Sequence, residues 1–178
     1  MSDFVKNIIR FCILIFIQVY VLSNPDLFLH RFIVPYIYYL FILWLPFSIS
    51  RNGLLFAGFL TGLAMDCFTW QMGVHTAACT LIAFVRPFMI NILVAKDSSE
   101  FNYREPSPRA MGWTPYLVYV LVLTLFHHVY MILLQYLQVG NFMDMLIKIV
   151  GTTGISMLLI ITIELVFPRR MKFRTNTA

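Results

Sequence analysis

The sequence predicts an all-α integral membrane protein with about six transmembrane helices in one compact bundle. Its 178 residues are 60% hydrophobic and only 12% charged, and the mean hydropathy is +0.81. Soluble domains carry about 25% charged residues, so this composition suits a chain that is embedded in lipid. Apolar stretches also recur at close to the roughly 20 residues that cross the hydrocarbon core. Residues 1–178 are therefore predicted to form a single polytopic membrane domain.

Six stretches are predicted to cross the membrane. The last four are long and clearly apolar, whereas the first two are shorter and contain polar or proline residues such as Gln18, Pro35 and Pro46. In chain order the crossings are Ile8 to Leu22, Phe32 to Phe47, Gly53 to Trp70, Gly73 to Val94, Pro115 to Leu137 and Met145 to Phe167.

The basic residues predict the orientation, because cytoplasmic loops of membrane proteins are enriched in Lys and Arg. With six crossings and a cytoplasmic amino terminus, only Arg31 and Lys148 of the thirteen basic residues fall outside. The inner side receives Lys6, Arg10, Arg51, Arg86, Lys96, Arg104, Arg109, Arg169, Arg170, Lys172 and Arg174. Both termini are therefore predicted to be cytoplasmic. The net charge of +5 then reflects orientation and contact of the basic tail, residues 168–178, with anionic lipid, and no nucleic acid partner is expected.

A hydrophilic stretch at residues 95–114 separates the fourth and fifth crossings and is predicted to be a charged cytoplasmic loop. Its length exceeds that of a passive connection in a compact bundle. Two readings are open, an ordered docking loop and a disordered segment, and the sequence favours disorder.

Two glycines and a carboxylate form one stripe on the third helix. Gly58, Gly62 and Asp66 are spaced four residues apart, which places them on a single helix face. Small residues let a second helix approach closely in lipid, and an intramembrane acid is tolerated only when it faces protein or water. Two readings stay open: the stripe lies in the folding core, or it forms a groove for a partner's helix.

Asp66 is predicted to hydrogen-bond across a tight helical hairpin. Only Gln71 and Met72 separate the third crossing from Gly73, so Asp66 and His75 lie at similar depths on neighbouring helices. An unpaired carboxylate at that depth costs several kcal/mol, so a hydrogen bond to His75 or Thr76 is expected. The alternative is that Asp66 caps the hairpin from the headgroup zone.

Four other ionisable residues lie inside apolar segments. Arg86 and Glu164 are at similar predicted depths near the inner side and form a candidate buried ion pair, with a snorkelling Arg86 as the alternative. His127 and His128 are adjacent on the fifth crossing and point about 100° apart, so both cannot easily face one site, and hydrogen bonding inside the bundle is expected for them. No Cys/His spacing indicates a metal or haem site.

The sequence does not indicate an enzyme. Its buried ionisable groups are scattered over three depths, whereas a catalytic centre brings several polar groups to one place. No glycine-rich phosphate loop is present. We therefore expect no catalytic, cofactor-binding or metal-binding residues.

The stretch that runs from residue 58 to residue 77 reads GFLTGLAMDCFTWQMGVHTA. Its glycine-spaced helix, which ends in Asp66 and turns through Gly73 to His75, resembles the signature of the bacterial rod shape-determining protein MreD family. The similarity covers about Arg51 to Arg86. Chain length, the number of crossings, Pro25-Asp26 after the first crossing and the basic tail are also similar to that family.

The resemblance implies a non-enzymatic scaffold of the cell-elongation machinery in the bacterial inner membrane. Members of the family work with the bitopic periplasmic protein MreC, with a peptidoglycan synthase and transpeptidase, and directly or indirectly with the actin-like filament protein MreB. It further implies an architecture similar to the substrate-binding subunits of energy-coupling-factor transporters. The alternative function is a small-molecule binding subunit of a membrane transporter.

Overall fold

The computed structural model describes residues 3–23, 33–94, 105–136 and 141–167, and these contain helices and no strands. Five of the helices described are long and apolar enough to cross a membrane, which confirms the all-α transmembrane character. The helices are α1 (Asp3–Ile17, continued by a π-helical turn over Gln18–Leu22), α2 (Leu40–Trp44), α3 (Arg51–Thr69), α4 (Val74–Leu93), α5 (Pro108–Met111), α6 (Trp113–Tyr136) and α7 (Phe142–Val166).

The long helices pack in sequence order, α3 on α4, α4 on α6 and α6 on α7, and α1 contacts α2 and α3. One end of the bundle, called the hairpin end here, carries the turn between α3 and α4. The Gln135 amide at the end of α6 donates a hydrogen bond to Gln71 there, at 2.8 Å. The opposite end, called the basic end, holds the start of α1, where Lys6 and Arg10 form ion pairs with Glu105 at 3.2 and 2.8 Å.

The second predicted crossing, Phe32 to Phe47, is not a continuous helix. Residues 33–37 lack regular structure, a turn follows, and only the five residues of α2 are helical. Pro35 has no amide hydrogen and Pro46 disfavours helical angles in the residue before it, so both interrupt helix formation. Residues 33–45, called the broken segment here, are nevertheless inside the bundle, because Tyr38, Tyr39, Leu40, Ile42 and Leu43 are fully buried.

The broken segment runs antiparallel to α1. At the hairpin end, the Gln18 amide donates to the Pro35 carbonyl at 3.1 Å and its oxygen accepts from the Ile37 amide at 2.8 Å. At the basic end, the Arg10 guanidinium lies over the Trp44 ring, 6.0 Å from the centroid. The chain therefore returns along α1 from the hairpin end to the basic end before α3 begins.

Four helices supply polar side chains to the backbone of the broken segment. Besides Gln18 of α1, the Ser156 hydroxyl of α7 accepts from the Tyr36 amide at 2.9 Å. The Tyr119 hydroxyl of α6 donates to the Leu43 carbonyl at 2.9 Å, and Arg86 of α4 donates to the Leu45 carbonyl. Non-helical backbone is tolerated at membrane depth only where protein groups satisfy it, and these contacts meet that requirement.

The second half of the predicted loop at residues 95–114 is folded. Ser107 accepts a hydrogen bond from the Ala110 amide and caps α5, and Ala110 and Met111 are buried. The disorder favoured from the sequence therefore does not apply to this half, because Glu105 ties it to α1. Residues 95–104 and the basic tail at residues 168–178 lie outside the described residues.

Candidate functional site

The glycine stripe of α3 faces α4 at backbone contact. A Cβ atom at Gly62 would lie 2.3 Å from the Thr76 Cα and 2.5 Å from the His75 carbonyl oxygen, and one at Gly58 would lie 2.9 Å from the Cys79 carbonyl oxygen. Real Cβ atoms do not come this close to backbone, so glycine is required at both positions. The neighbour that these two glycines admit is therefore the chain's own α4.

Asp66 closes the same interface at the hairpin end. Its carboxylate is fully buried and accepts four hydrogen bonds from the start of α4. The donors are the amides of Gly73 (2.9 Å), His75 (2.8 Å) and Thr76 (3.0 Å) and the Thr76 hydroxyl (2.5 Å). The first amides of a helix have no partner within it, so a carboxylate from α3 acts as the cap of α4. The predicted hydrogen bond from Thr76 is confirmed.

The turn at residues 70–73 depends on two residues with positive φ. Gly73 has φ 90°, a conformation that side chains other than glycine rarely adopt, and a Cβ atom there would meet nothing within 4 Å. Gly73 is thus required for its backbone angle and not for space. Trp70 ends α3 at φ 58° and its side chain is 88% exposed.

The predicted hydrogen bond between Asp66 and His75 is also confirmed, and it is made by the His75 backbone, whose amide donates to the Asp66 carboxylate. The His75 imidazole points to the broken segment, where its Nδ1 lies 2.7 Å from the Tyr38 hydroxyl. The same hydroxyl lies 2.8 Å from Nε2 of His127 on α6. Tyr38 therefore joins two histidines from different helices.

His127 and His128 both face the protein interior and are fully buried. The expectation that they cannot easily face one site is wrong, because both rings contact Tyr39. The His127 ring stacks on Tyr39 with centroids 4.4 Å apart, and Nδ1 of His128 lies 3.1 Å from the Thr153 hydroxyl of α7. Hydrogen bonding inside the bundle, which was predicted for these histidines, is confirmed. We call Tyr38, His75, His127, His128 and Thr153 the histidine cluster.

The candidate ion pair between Arg86 and Glu164 does not form as a direct contact. The Arg86 guanidinium donates to the Tyr119 hydroxyl at 2.9 Å and to the Leu45 carbonyl, whereas Glu164 accepts from the Tyr116 hydroxyl at 2.5 Å. The physical reason is the broken segment, whose last carbonyls need donors and attract the guanidinium. Arg86 is 1% exposed, so it does not snorkel to solvent either.

Replacing Tyr119 with phenylalanine is expected to lower the free energy of unfolding by about 1 to 3 kcal/mol. The Tyr119 hydroxyl accepts from Arg86 and donates to Leu43, and its loss leaves a buried cation and a buried carbonyl short of a partner. Unfolding in detergent measures the change. Tyr130→Phe is the matched control on the same helix, because Tyr130 is 36% exposed, and its effect should stay within about 0.5 kcal/mol. Equal stability of the two variants would contradict this role of Tyr119.

Several contributors to these contacts were not identified from the sequence, namely Tyr38, Tyr116, Tyr119, Thr153 and Ser156. Gln18 was noted only as a polar residue in a short crossing. A signal was present, since each of these residues brings a hydroxyl or amide that needs a partner inside an apolar segment. Deciding which of these groups bond to one another requires the relative positions of the segments in the folded bundle, and the sequence does not give these positions.

The polar groups described above make hydrogen bonds between helices. In the described part of the chain, no three His, Cys, Asp or Glu side chains meet to bind a metal ion. The carboxylate of Asp66 accepts four hydrogen bonds from the start of α4 and thereby joins α3 to α4. The geometry thus serves packing and hydrogen bonding between helices.

No protein-family model matches this chain, and neither does any curated protein or solved structure in the comparisons. The resemblance described above is therefore carried by residues 51–86 and by the general features named with it.

Proposed function

We propose that this chain is a non-enzymatic scaffold of the bacterial cell-elongation machinery, which regulates cell shape and side-wall peptidoglycan synthesis by binding other membrane proteins. The observation that carries the proposal is the α3–α4 hairpin. The residues that resemble the MreD signature, Gly58, Gly62, Asp66, Gly73 and the backbone of His75, are those that lock this hairpin together. A rigid two-helix unit without a reaction centre is suited to holding partners in place.

The proposed topology has six passes, with the broken segment as the second. Support comes from its contacts with Gln18 near one end of α1 and Arg10 near the other, which span the two ends of the bundle. Lys6 and Arg10 lie at the basic end, whereas Lys148 is at the hairpin end, where it donates to Gln135 at 3.3 Å. By the positive-inside rule, we propose that the chain lies in a bacterial inner membrane with the basic end and both termini on the cytoplasmic side.

The proposed partner-binding surface lies on the lipid side of the hairpin, because the glycine stripe is covered by α4. Of the two readings of the stripe, a folding core and a groove for a partner's helix, this proposal keeps the folding core. The opposite side of α3 exposes Phe56, Phe59, Leu60 and Leu63, at 63%, 44%, 42% and 38%. The expected occupant is the transmembrane helix of an MreC-type bitopic protein. The synthase, transpeptidase and MreB filament join through that protein or through the basic end.

Site-specific photo-crosslinking in native membranes tests this function. A photoreactive residue at position 59 is expected to capture an MreC-type protein or a peptidoglycan synthase, identified by mass spectrometry. The same probe at position 54 is the matched control on α3, because the Leu54 side chain is 2% exposed and should label only the chain itself. Depletion of the chain should also turn rod-shaped cells round. Captured proteins unrelated to the elongation machinery, with rods maintained on depletion, would refute the proposal.

A further inference from the structure

Three buried polar atoms near the hairpin end have no hydrogen-bond partner among the described residues: Nδ1 of His127, Nε2 of His128 and Oγ1 of Thr152. All three side chains are 0% exposed. Leaving a buried polar atom unpaired is costly, and native proteins nearly always satisfy such atoms with protein groups or ordered water. Three of them in one region therefore point to a ligand.

Two of the three atoms belong to rings of the histidine cluster, and the third belongs to the residue that precedes Thr153 of that cluster. The His127 and His128 ring centroids are 5.3 Å apart. Thr152 precedes Thr153 on α7, and the Thr153 hydroxyl bonds His128 at 3.1 Å. The surrounding wall is aromatic, since Tyr36 and Tyr39 lie 5.8 and 5.7 Å from the His128 ring.

Hydrogen-bond accounting assigns the tautomer of His128. The Thr153 hydroxyl has one hydrogen, and its contact is Nδ1 of His128. If Thr153 donates, Nδ1 is the bare nitrogen and Nε2 carries the hydrogen of the neutral ring. The reverse arrangement leaves the Thr153 hydrogen unused as well, so it costs one more unsatisfied donor. Nε2 of His128 is therefore an N–H that needs an acceptor.

His127 has two arrangements, because the Tyr38 hydroxyl sits between His75 and His127 and donates to only one of them. When Tyr38 donates to His75, Nε2 of His127 carries the hydrogen and Nδ1 needs a donor. When Tyr38 donates to His127, Nδ1 carries the hydrogen and needs an acceptor. A molecule that satisfies both arrangements must donate and accept hydrogen bonds.

We propose that His127, His128 and Thr152 bind internal water, which completes a hydrogen-bond chain from His75 on α4 through Tyr38 and α6 to Thr153 on α7. Water accepts from the His128 N–H and either donates to or accepts from His127, so it fits both directions of the chain. Buried waters in proteins typically make about three hydrogen bonds to polar groups that would otherwise be unsatisfied, and the unpaired atoms of His127, His128 and Thr152 are groups of this kind. A metal ion is a poorer match, because one of the three groups is a threonine hydroxyl and, among the described residues, no three His, Cys, Asp or Glu side chains meet.

The direction in which one isosteric substitution changes the unfolding midpoint tests the site. Thr152→Val removes the hydroxyl and keeps the side-chain shape. If Thr152 binds water, the full-length protein in detergent should lose about 2 to 4 °C in its unfolding midpoint. Thr162→Val on α7 is the matched control, since Thr162 donates to the carbonyl of Leu158 in its own helix and faces outward. An unchanged or higher midpoint for Thr152→Val relative to Thr162→Val would overturn the proposal, because an unpaired hydroxyl is better replaced by a methyl group.

Water-edited solid-state NMR of the wild-type chain in lipid bilayers tests the same site without substitution. Magnetisation from water should reach the ring nitrogens of His127 and His128 well before it reaches the backbone amide of Leu123, which is 0% exposed on the same helix. Equally slow transfer to all three overturns the proposal. Native mass spectrometry that shows a bound small molecule displaced by His128→Phe also overturns it, since the guest would then not be water.

Discussion

Replacing Gly62 with leucine is expected to prevent α3 from docking on α4 and to leave no folded monomer in detergent. The Cβ position alone lies 2.3 Å from the Thr76 Cα, and backbone cannot yield as a flexible side chain does. Overpacking typically costs about 1 to 3 kcal/mol, which is expected for Gly62→Ala, and a leucine against backbone should exceed about 4 kcal/mol. Thermal unfolding and size-exclusion chromatography in detergent measure both effects.

Gly154→Leu is the matched control for Gly62→Leu. Gly154 also lies within a long helix, α7, but a Cβ atom there would meet nothing within 4 Å. Its replacement should therefore leave the midpoint unchanged or slightly higher, because glycine inside a helix costs about 1 kcal/mol relative to better helix formers. A stable Gly62→Leu monomer that no longer bound its partners would contradict the folding role and would support a groove for a partner's helix.

Replacing Asp66 with asparagine should lower the free energy of unfolding by about 2 to 4 kcal/mol, because hydrogen bonds to a charged group contribute about 1.5 to 3 kcal/mol and an unpaired donor adds a penalty. One carboxylate oxygen accepts from His75, and the other accepts from Gly73 and twice from Thr76. Asparagine has only one carbonyl oxygen, so its NH₂ group must face a backbone donor in either orientation. Chemical unfolding in detergent measures the loss.

Asp144→Asn provides the comparison for Asp66→Asn. Asp144 lies in the first turn of α7 and is exposed, so it interacts with the helix dipole but caps no buried amide. Its replacement should cost less than about 1 kcal/mol. If the two substitutions had equal effects, the network around Asp66 would have no special energetic role.

The α3–α4 hairpin was accessible from sequence because its determinants are local. A spacing of four residues assigns Gly58, Gly62 and Asp66 to one face, and the short turn through Gly73 brings α4 against that face. Local spacing does not say which atom of a residue makes a contact. The prediction that Asp66 hydrogen-bonds to His75 or Thr76 is therefore correct, but the sequence did not show that His75 donates through its backbone amide.

The broken segment was the least predictable element because its stability comes from long-range contacts. Its apolar composition predicted a transmembrane helix as the second of six crossings, although Pro35 and Pro46 disfavour a continuous helix. Non-helical backbone in lipid requires partners, and these come from Gln18, Arg86, Tyr119 and Ser156, which lie on four different helices. Arg86 donates to one of these backbone carbonyls and does not pair with Glu164. The similar depths of the two residues along their helices do not reveal this outcome.

Composition and apolar run lengths were sufficient to predict helices long and apolar enough to cross a membrane, since hydrophobicity and helix length depend on residue type and rise per residue alone. The pairing of Tyr38 with His75 and His127 could be assigned only from the folded bundle. A hydrogen bond depends on positions in space to within tenths of an ångström, and residues 37 and 89 places apart acquire such positions only when their helices pack.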